Sequence, residues 1–203
     1  HALALIAGNL AESLHAFANG MDSRPVVPEP SAQKSLSAQE TFAMDVTDGD
    51  FVRATLRTMA DSLFGRLRAE RLCARTVEVR VRYTDFKEAR RSRALPEPVC
   101  VENTVYGTLD ALLRAAWERR VALRMAALAL RDLYPAVRFG ELGLIAPAHN
   151  PEVLERMARA ADEIRARHGD NAILRGHDLW LRARQNTPRE IFAGCLAGQP
   201  PAR

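Results

Sequence analysis

The chain has 203 residues, 47% of them hydrophobic and 27% charged, with a formal net charge of +4. That length holds one good core plus appendages, and the balance excludes a disordered polymer and describes a soluble globular protein. The apolar runs near residues 125–130 and 142–146 are far too short to span a bilayer, and no signal peptide is visible.

The chain opens at His1 directly into a helical pattern, which implies that a natural N-terminal part precedes it. Over residues 2–19, Leu3, Ile6, Leu10, Leu14 and Phe17 fall on one helix side, and Gly20 is placed to end it. Pro25, Pro28 and Pro30 then stiffen an extended tether over residues 21–33. Residues 34–44 read as extended. Asp50 or a neighbouring acid can cap a helix over residues 51–70, with Val52, Leu56, Leu63 and Leu67 as its buried stripe.

Residues 75–84 alternate Val77, Val79, Val81 and Tyr83 with Glu78, Arg80 and Arg82, the pattern of a strand with one wet face. A second strand over residues 87–95 carries Arg90, Arg91 and Arg93 and stops at Leu95-Pro96. Residues 102–117 form a second helix burying Tyr106, Leu109, Leu113 and Trp117, and residues 121–133 contain a last strand. The order implies an α+β fold: a four-stranded antiparallel sheet with two helices on one face (β-α-β-β-α-β) and helical N- and C-terminal extensions. The other sheet face stays open for Arg80, Arg82 and the second arginine cluster.

Past residue 136 the pattern weakens into an extension. Asn150-Pro151-Glu152 starts a helix over residues 151–168, with Val153, Leu154, Met157, Ala161 and Ile164 as its stripe and Gly169 to close it. From Asp178 onward there is no clear periodicity before Ile191-Phe192, and residues 198–203 should fray.

Charge is concentrated in the strand pair. From Arg75 to Arg93 seven cations (Arg75, Arg80, Arg82, Lys87, Arg90, Arg91, Arg93) face three acids (Glu78, Asp85, Glu88), a surplus equal to that of the whole chain. A basic ribbon on a flat sheet suits a repeating polyanion better than a small-molecule pocket. Lys34 and Lys87 are the only lysines. Arginine suits bidentate phosphate contacts, but a GC-rich genome gives the same overall bias, so the local cluster carries the argument. Cys73, Cys100 and Cys195 are far apart and show no metal spacing, and they read as reduced thiols of a cytosolic protein. His1, His15, His149, His168 and His177 are scattered, and His177-Asp178 has no nucleophile placed to meet it. Trp117 fits the core; Trp180, in the tail, is available for a contact with another subunit.

Lys34-Ser35-Leu36-Ser37 with Glu40-Thr41-Phe42, then Arg75-Thr76-Val77 through Tyr83-Thr84-Asp85-Phe86, then Arg91-Ser92-Arg93-Ala94-Leu95-Pro96, form an ordered series. It resembles the little-finger domain of Y-family (translesion) DNA polymerases. Gly20-Met21-Asp22-Ser23-Arg24-Pro25-Val26 is similar to the end of their thumb and the start of their tether. Residues 160–176 are similar to the trailing helix and strand of some bacterial members. The resemblance implies a thumb-like helix over residues 1–20, the tether, a little finger over residues 34–136 and a C-terminal extension over residues 137–203. It also implies a grip on template–primer duplex, mainly through phosphates, by Arg91, Ser92 and Arg93, with Arg80, Arg82 and Lys34 as further contacts. The setting it implies is damage bypass and the SOS response in a bacterial cytoplasm, at the nucleoid during repair.

The family's catalytic carboxylates, which hold paired Mg²⁺ on palm strands, have no counterpart here. The one Asp-Glu pair, Asp162-Glu163, lies in a helical pattern and reads as surface acids pairing with nearby arginines. No cofactor is expected for this chain, Mg²⁺ belonging to the palm, and no polymerase activity is expected from it alone. Glu141-Leu142-Gly143-Leu144-Ile145 is similar to the family's sliding-clamp peptide, with glutamate for glutamine and isoleucine for phenylalanine; Leu142 and Leu144 remain as apolar anchors. Two other readings stand beside DNA binding. One is a protein-interaction module docking a clamp or another repair protein; the other is a free-standing ferredoxin-like enzyme.

Overall fold

The structure is a computed structural model and describes residues 2–25, 33–136 and 151–186. It forms two compact units, His1–Ala32 and Gln33–Arg203. The first holds α1 (Ala2–Ala7), a 3₁₀ turn (Gly8–Leu10) and α2 (Ala11–Ala18). The single helix expected here is broken where Gly8 takes φ +52°, a left-handed conformation glycine adopts without strain. Gly20, at φ +72°, ends α2 as its position in the sequence implies.

The second unit follows the expected order: β1 (Ser35–Val46), α3 (Gly49–Ala69), β2 (Leu72–Tyr83), β3 (Glu88–Val99), a 3₁₀ turn (Glu102–Thr104), α4 (Tyr106–Ala116) and β4 (Leu123–Pro135). The strands form one antiparallel sheet in the order β1-β4-β2-β3, with α3 and α4 packed on one face. α3 forms because Asp48, rather than Asp50, caps it: its carboxylate accepts from the amides of Asp50 (2.8 Å) and Phe51 (3.2 Å). Val52, Leu56, Leu63 and Leu67 recur at helical spacing and are buried against Val77, Val79, Val81 and Tyr83 of β2 and Ala126, Leu128 and Leu130 of β4. Each such aliphatic side chain contributes about 1.5–3 kcal/mol on leaving water. α4 adds Leu109 and Leu113, and the Tyr83 hydroxyl donates to the Ala116 carbonyl at 2.8 Å. Tyr106 and Trp117 are half-buried, and Trp117 packs on the core with its Nε1 donating to the Val121 carbonyl.

Four expectations change. β3 does not stop at Leu95-Pro96: it bulges there and pairs again at Val99, opposite Ala74. An edge strand can carry Pro96 and Pro98, because their missing N–H groups need no ladder partner on the open side. A helix, α6 (Gly176–Asn186), occupies the stretch that lacks apolar periodicity, following α5 (Pro151–His168). Residues 169–175 between them make turns, not the strand the resemblance implies. Finally, Cys73 and Cys100 are not free thiols but a disulfide, with Cα atoms 4.5 Å apart. The hairpin brings residues 27 apart in the chain face to face across β2 and β3, which a search for short cysteine spacings does not see. Cys195, the tether from residue 26 on, Glu141–Ile145 and the tail past residue 186 lie outside the described residues. Among the described residues no helix is long and apolar enough to cross a membrane.

Candidate nucleic-acid interface

Side chains alternate along each strand, and residues paired across the ladder share a face. Val77, Val79 and Val81 point into the helix layer, so Glu78, Arg80 and Arg82 point away from it. On β3 their partners are Ser92, Arg90 and Glu88. On β4 they pair with Ala129, Ala127 and Met125, and in turn Ser37, Gln39 and Thr41 of β1 lie opposite those. The open face therefore gathers Arg80, Arg82, Arg90 and Arg131 around Ala127 and Ala129; among the described residues Glu78 and Glu88 lie on it, and Asp132 joins them by accepting from Thr76 at 2.6 Å. A shallow depression sits over the two alanines, rimmed by Ser37, Arg80, Arg90 and Arg131. With no bulky side chain on that floor, an extended sugar–phosphate backbone can come close to the sheet.

Arg91 and Arg93 lie elsewhere. Their partners are Val79 and Val77, which places them on the helix side of the edge strand. Both are exposed, and Arg91 donates to Glu118, just beyond α4, at 2.8 Å. Of the six residues expected to hold DNA, Arg80, Arg82 and Ser92 thus share the open face, Arg91 and Arg93 face the other way, and Lys34 is exposed just ahead of β1. Arg90, read as part of the basic cluster but not among those six, joins them on the open face, and Arg131 is the residue passed over. The cause is the β2–β3 turn. Phe86 adopts φ +63° there, and Arg82 pairs with Glu88. A hairpin one residue different would have put Arg91 and Arg93 beside Arg80.

Arg80 reaches Glu88 at 3.4 Å and the Gln39 side chain at 3.1 Å; Arg82 Nε donates to Glu88 at 2.8 Å; Arg131 donates to Glu78 at 3.1 Å. The hydrogen bond from Arg82 is the main reason the Glu88 carboxyl lies below the usual range. These pairs are exposed, so each is worth about 0–1 kcal/mol and gives way cheaply to a polyanion. Arg90 faces Arg80 directly across the ladder and makes no ion pair among the described residues. Like charges in that position are mutually unfavourable.

A second polar cluster is buried on the helix side. Arg68 donates to Glu102 (2.5 Å), to the Cys100 carbonyl (3.0 Å) and, through Nε and Nη2, to both oxygens of Asp162 on α5 (2.7 and 3.1 Å). Asp162 therefore pairs with an arginine as expected, but a buried one. Arg175 also reaches Glu102, and its Nε lies 3.1 Å from Asp61 on α3. His177 stands 3.0 Å from Asp61, and Tyr106 donates to the same carboxylate. Burial first, and that hydrogen bond second, push the Tyr106 hydroxyl far up. Asp61, His177 and Asp178 offer three donor atoms within 4.8 Å. Each carboxylate oxygen there already accepts from a protein donor: Tyr106, Arg175 and His177 for Asp61, Thr58 and the Arg175 amide for Asp178. The arrangement clamps α5 and α6 onto α3.

Residues 33–141 match the family described as the impB/mucB/samB family C-terminal domain. The chain belongs to that family. The domain is the little finger of Y-family DNA polymerases, in fold and in sequence. Among curated relatives, the DNA polymerase IV of Opitutus terrae is 32% identical over 163 residues, covering 80% of this chain and 41% of its own length. The DNA polymerase IV 2 of Agrobacterium fabrum is 32% identical over 126 residues, or 62% of this chain and 35% of its own. The chain thus spans less than half the length of these relatives. Among solved structures, the Y-family DNA polymerase chimera Dbh-Dpo4-Dbh shares the fold with a TM-score of 0.50 at 18% identity, over 66% of this chain and 38% of that one.

Proposed function

We propose that this little finger grips template–primer duplex DNA through its phosphates while a translesion polymerase passes damage. The observation that carries the reading is the open sheet face, where Arg80, Arg82, Arg90 and Arg131 surround an alanine floor and outnumber the acids described there, Glu78, Glu88 and Asp132. Its chemistry reads charge and spacing, not base edges, and a non-selective hold is what a damaged template requires. The relatives named DNA polymerase IV support the setting. Work in the bacterial cytoplasm at the nucleoid, within the SOS response, belongs to the same proposal. Fluorescence anisotropy with primer–template DNA across a salt series tests it. Micromolar or tighter binding that weakens steeply with salt is expected; no binding at low salt overturns it.

A sliding clamp is the second proposed partner, through Glu141, Leu142, Leu144 and Ile145. Support comes from the sequence: two leucine anchors at extended spacing, carried between β4 and α5. Leu142→Ala with Leu144→Ala should abolish clamp binding and leave DNA binding unchanged. Clamp binding that survives the double substitution removes this partner site.

A further inference from the structure

We propose that Cys73 and Cys100 form a reversible redox pair, opened and closed by exchange with a low-molecular-weight disulfide of the glutathione class. Its state sets how firmly α5 is held on the little finger. Cys73, at the start of β2, is buried, and Cys100, just past the end of the edge strand β3, is partly exposed, which makes Cys100 the cysteine of the two for an attacking thiolate to engage. The Cys100 carbonyl accepts from Arg68, and the same guanidinium holds Glu102 and both oxygens of Asp162 on α5. One side chain therefore joins the disulfide to the C-terminal extension.

The bond matters because this end of β3 is otherwise weakly paired. The ladder breaks after Ala94 opposite Thr76 and returns only at Val99 opposite Ala74, with Pro96 and Pro98 in the gap. With the disulfide formed, Cys100 and the turn that carries Glu102 are fixed against β2, and Arg68 keeps its partners. With it reduced, the strand end is released, and the alignment of Glu102 and Asp162 on Arg68 goes with it. A permanent bond is foreign to a cytoplasm, whereas a bond that exchanges with the thiol pool is not; this step rests on the cytoplasmic setting proposed above.

Oxidation runs in two exchanges. The Cys100 thiolate attacks one sulfur of glutathione disulfide, forms a mixed disulfide and expels one glutathione thiolate. The Cys73 thiolate then attacks the Cys100 sulfur and expels the second. The two protein sulfurs lose two electrons, the glutathione sulfurs gain them, and the two cysteine protons end on the two released thiols. Excess glutathione reverses both steps.

The test uses the 203-residue chain carrying Cys195→Ser, so that the third sulfur does not compete. The protein is equilibrated in glutathione buffers from fully reduced to fully oxidised, quenched, alkylated and mapped by mass spectrometry. Amide exchange of α5 is read in the same samples. The expected result is a Cys73–Cys100 cross-link that titrates within the glutathione range, with α5 amides exchanging about tenfold faster in the dithiol form. Cys73→Ser with Cys100→Ser should match the reduced protein in every buffer. Thiols that stay free in the most oxidising buffer overturn the proposal, as does a bond that survives the most reducing one or α5 exchange equal in both states. DNA binding of the same samples is a separate readout: its loss with redox exchange intact overturns the proposed function and leaves this pair standing.

Discussion

Replacing Arg80 and Arg90 by alanine removes two positive charges from the open face; replacing Arg91 and Arg93 removes two from the opposite side of the same hairpin. The two variants have the same net charge, so a reading based on charge alone expects equal losses of DNA binding. The structure expects unequal ones. Each phosphate contact contributes about 0.9 to the slope of log affinity against log salt on B-DNA, so losing two flattens it by about 2 units. Arginines on the far side of the strand are screened, since the Debye length is about 8 Å at physiological salt. The Arg91 and Arg93 variant should keep most of its slope. Stability separates the pair further. Arg90 faces Arg80 and makes no ion pair among the described residues, so Arg90→Ala should leave the free protein as stable or up to about 1 kcal/mol more stable while weakening its hold on DNA. Anisotropy titrations from low to physiological salt, with denaturant melts of the same samples, measure both. Equal slopes for the two double variants would refute the face assignment and with it the interface.

The remaining predictions concern the clamp and the turn. Arg68→Met leaves Glu102 and Asp162 without their main partner in a buried seam and should cost about 3–5 kcal/mol in chemical denaturation; adding Glu102→Gln should recover part of it. At Asp48 burial alone would push the carboxyl up, but Arg184 and the amides of Phe51 and Asp50 outweigh it and hold the group below the usual range. A lowered folded-state value means that Asp48 stabilises above its unfolded pKa and stops doing so as pH falls through the folded one. Amide exchange at the start of α3 and in α6 should therefore rise as the pH falls below the ordinary aspartate value of 3.8, before the sheet opens, and Asp48→Ala, at a cost of about 1 kcal/mol, should remove that pH dependence. Phe86→Asn should relieve about 1 kcal/mol of left-handed strain in the β2–β3 turn, seen as a higher denaturation midpoint, because Phe86 is exposed and, among the described residues, the contact it gives up is its stacking with Arg124.

The core was written in the linear pattern. The period-two valines of β2 and the helical stripe of α3 are local signals of burial, and the strand–helix order leaves few ways to cover both, so the fold and its family were legible before any coordinates. The little-finger resemblance also located the arginine hairpin. Three things were not local. Which arginines share a face depends on one residue of register, set by Phe86 in a conformation that its side chain does not announce. α6 has no apolar stripe because contacts from His177, Asp178 and Arg184 to α3 and its cap hold it, and a polar helix face gives no hydrophobic period to read. The Cys73–Cys100 pair exists only because antiparallel pairing brings distant residues opposite one another. Burial follows from side-chain chemistry and so can be read along a chain; facing follows from register and long-range contact, and only the folded molecule decides it.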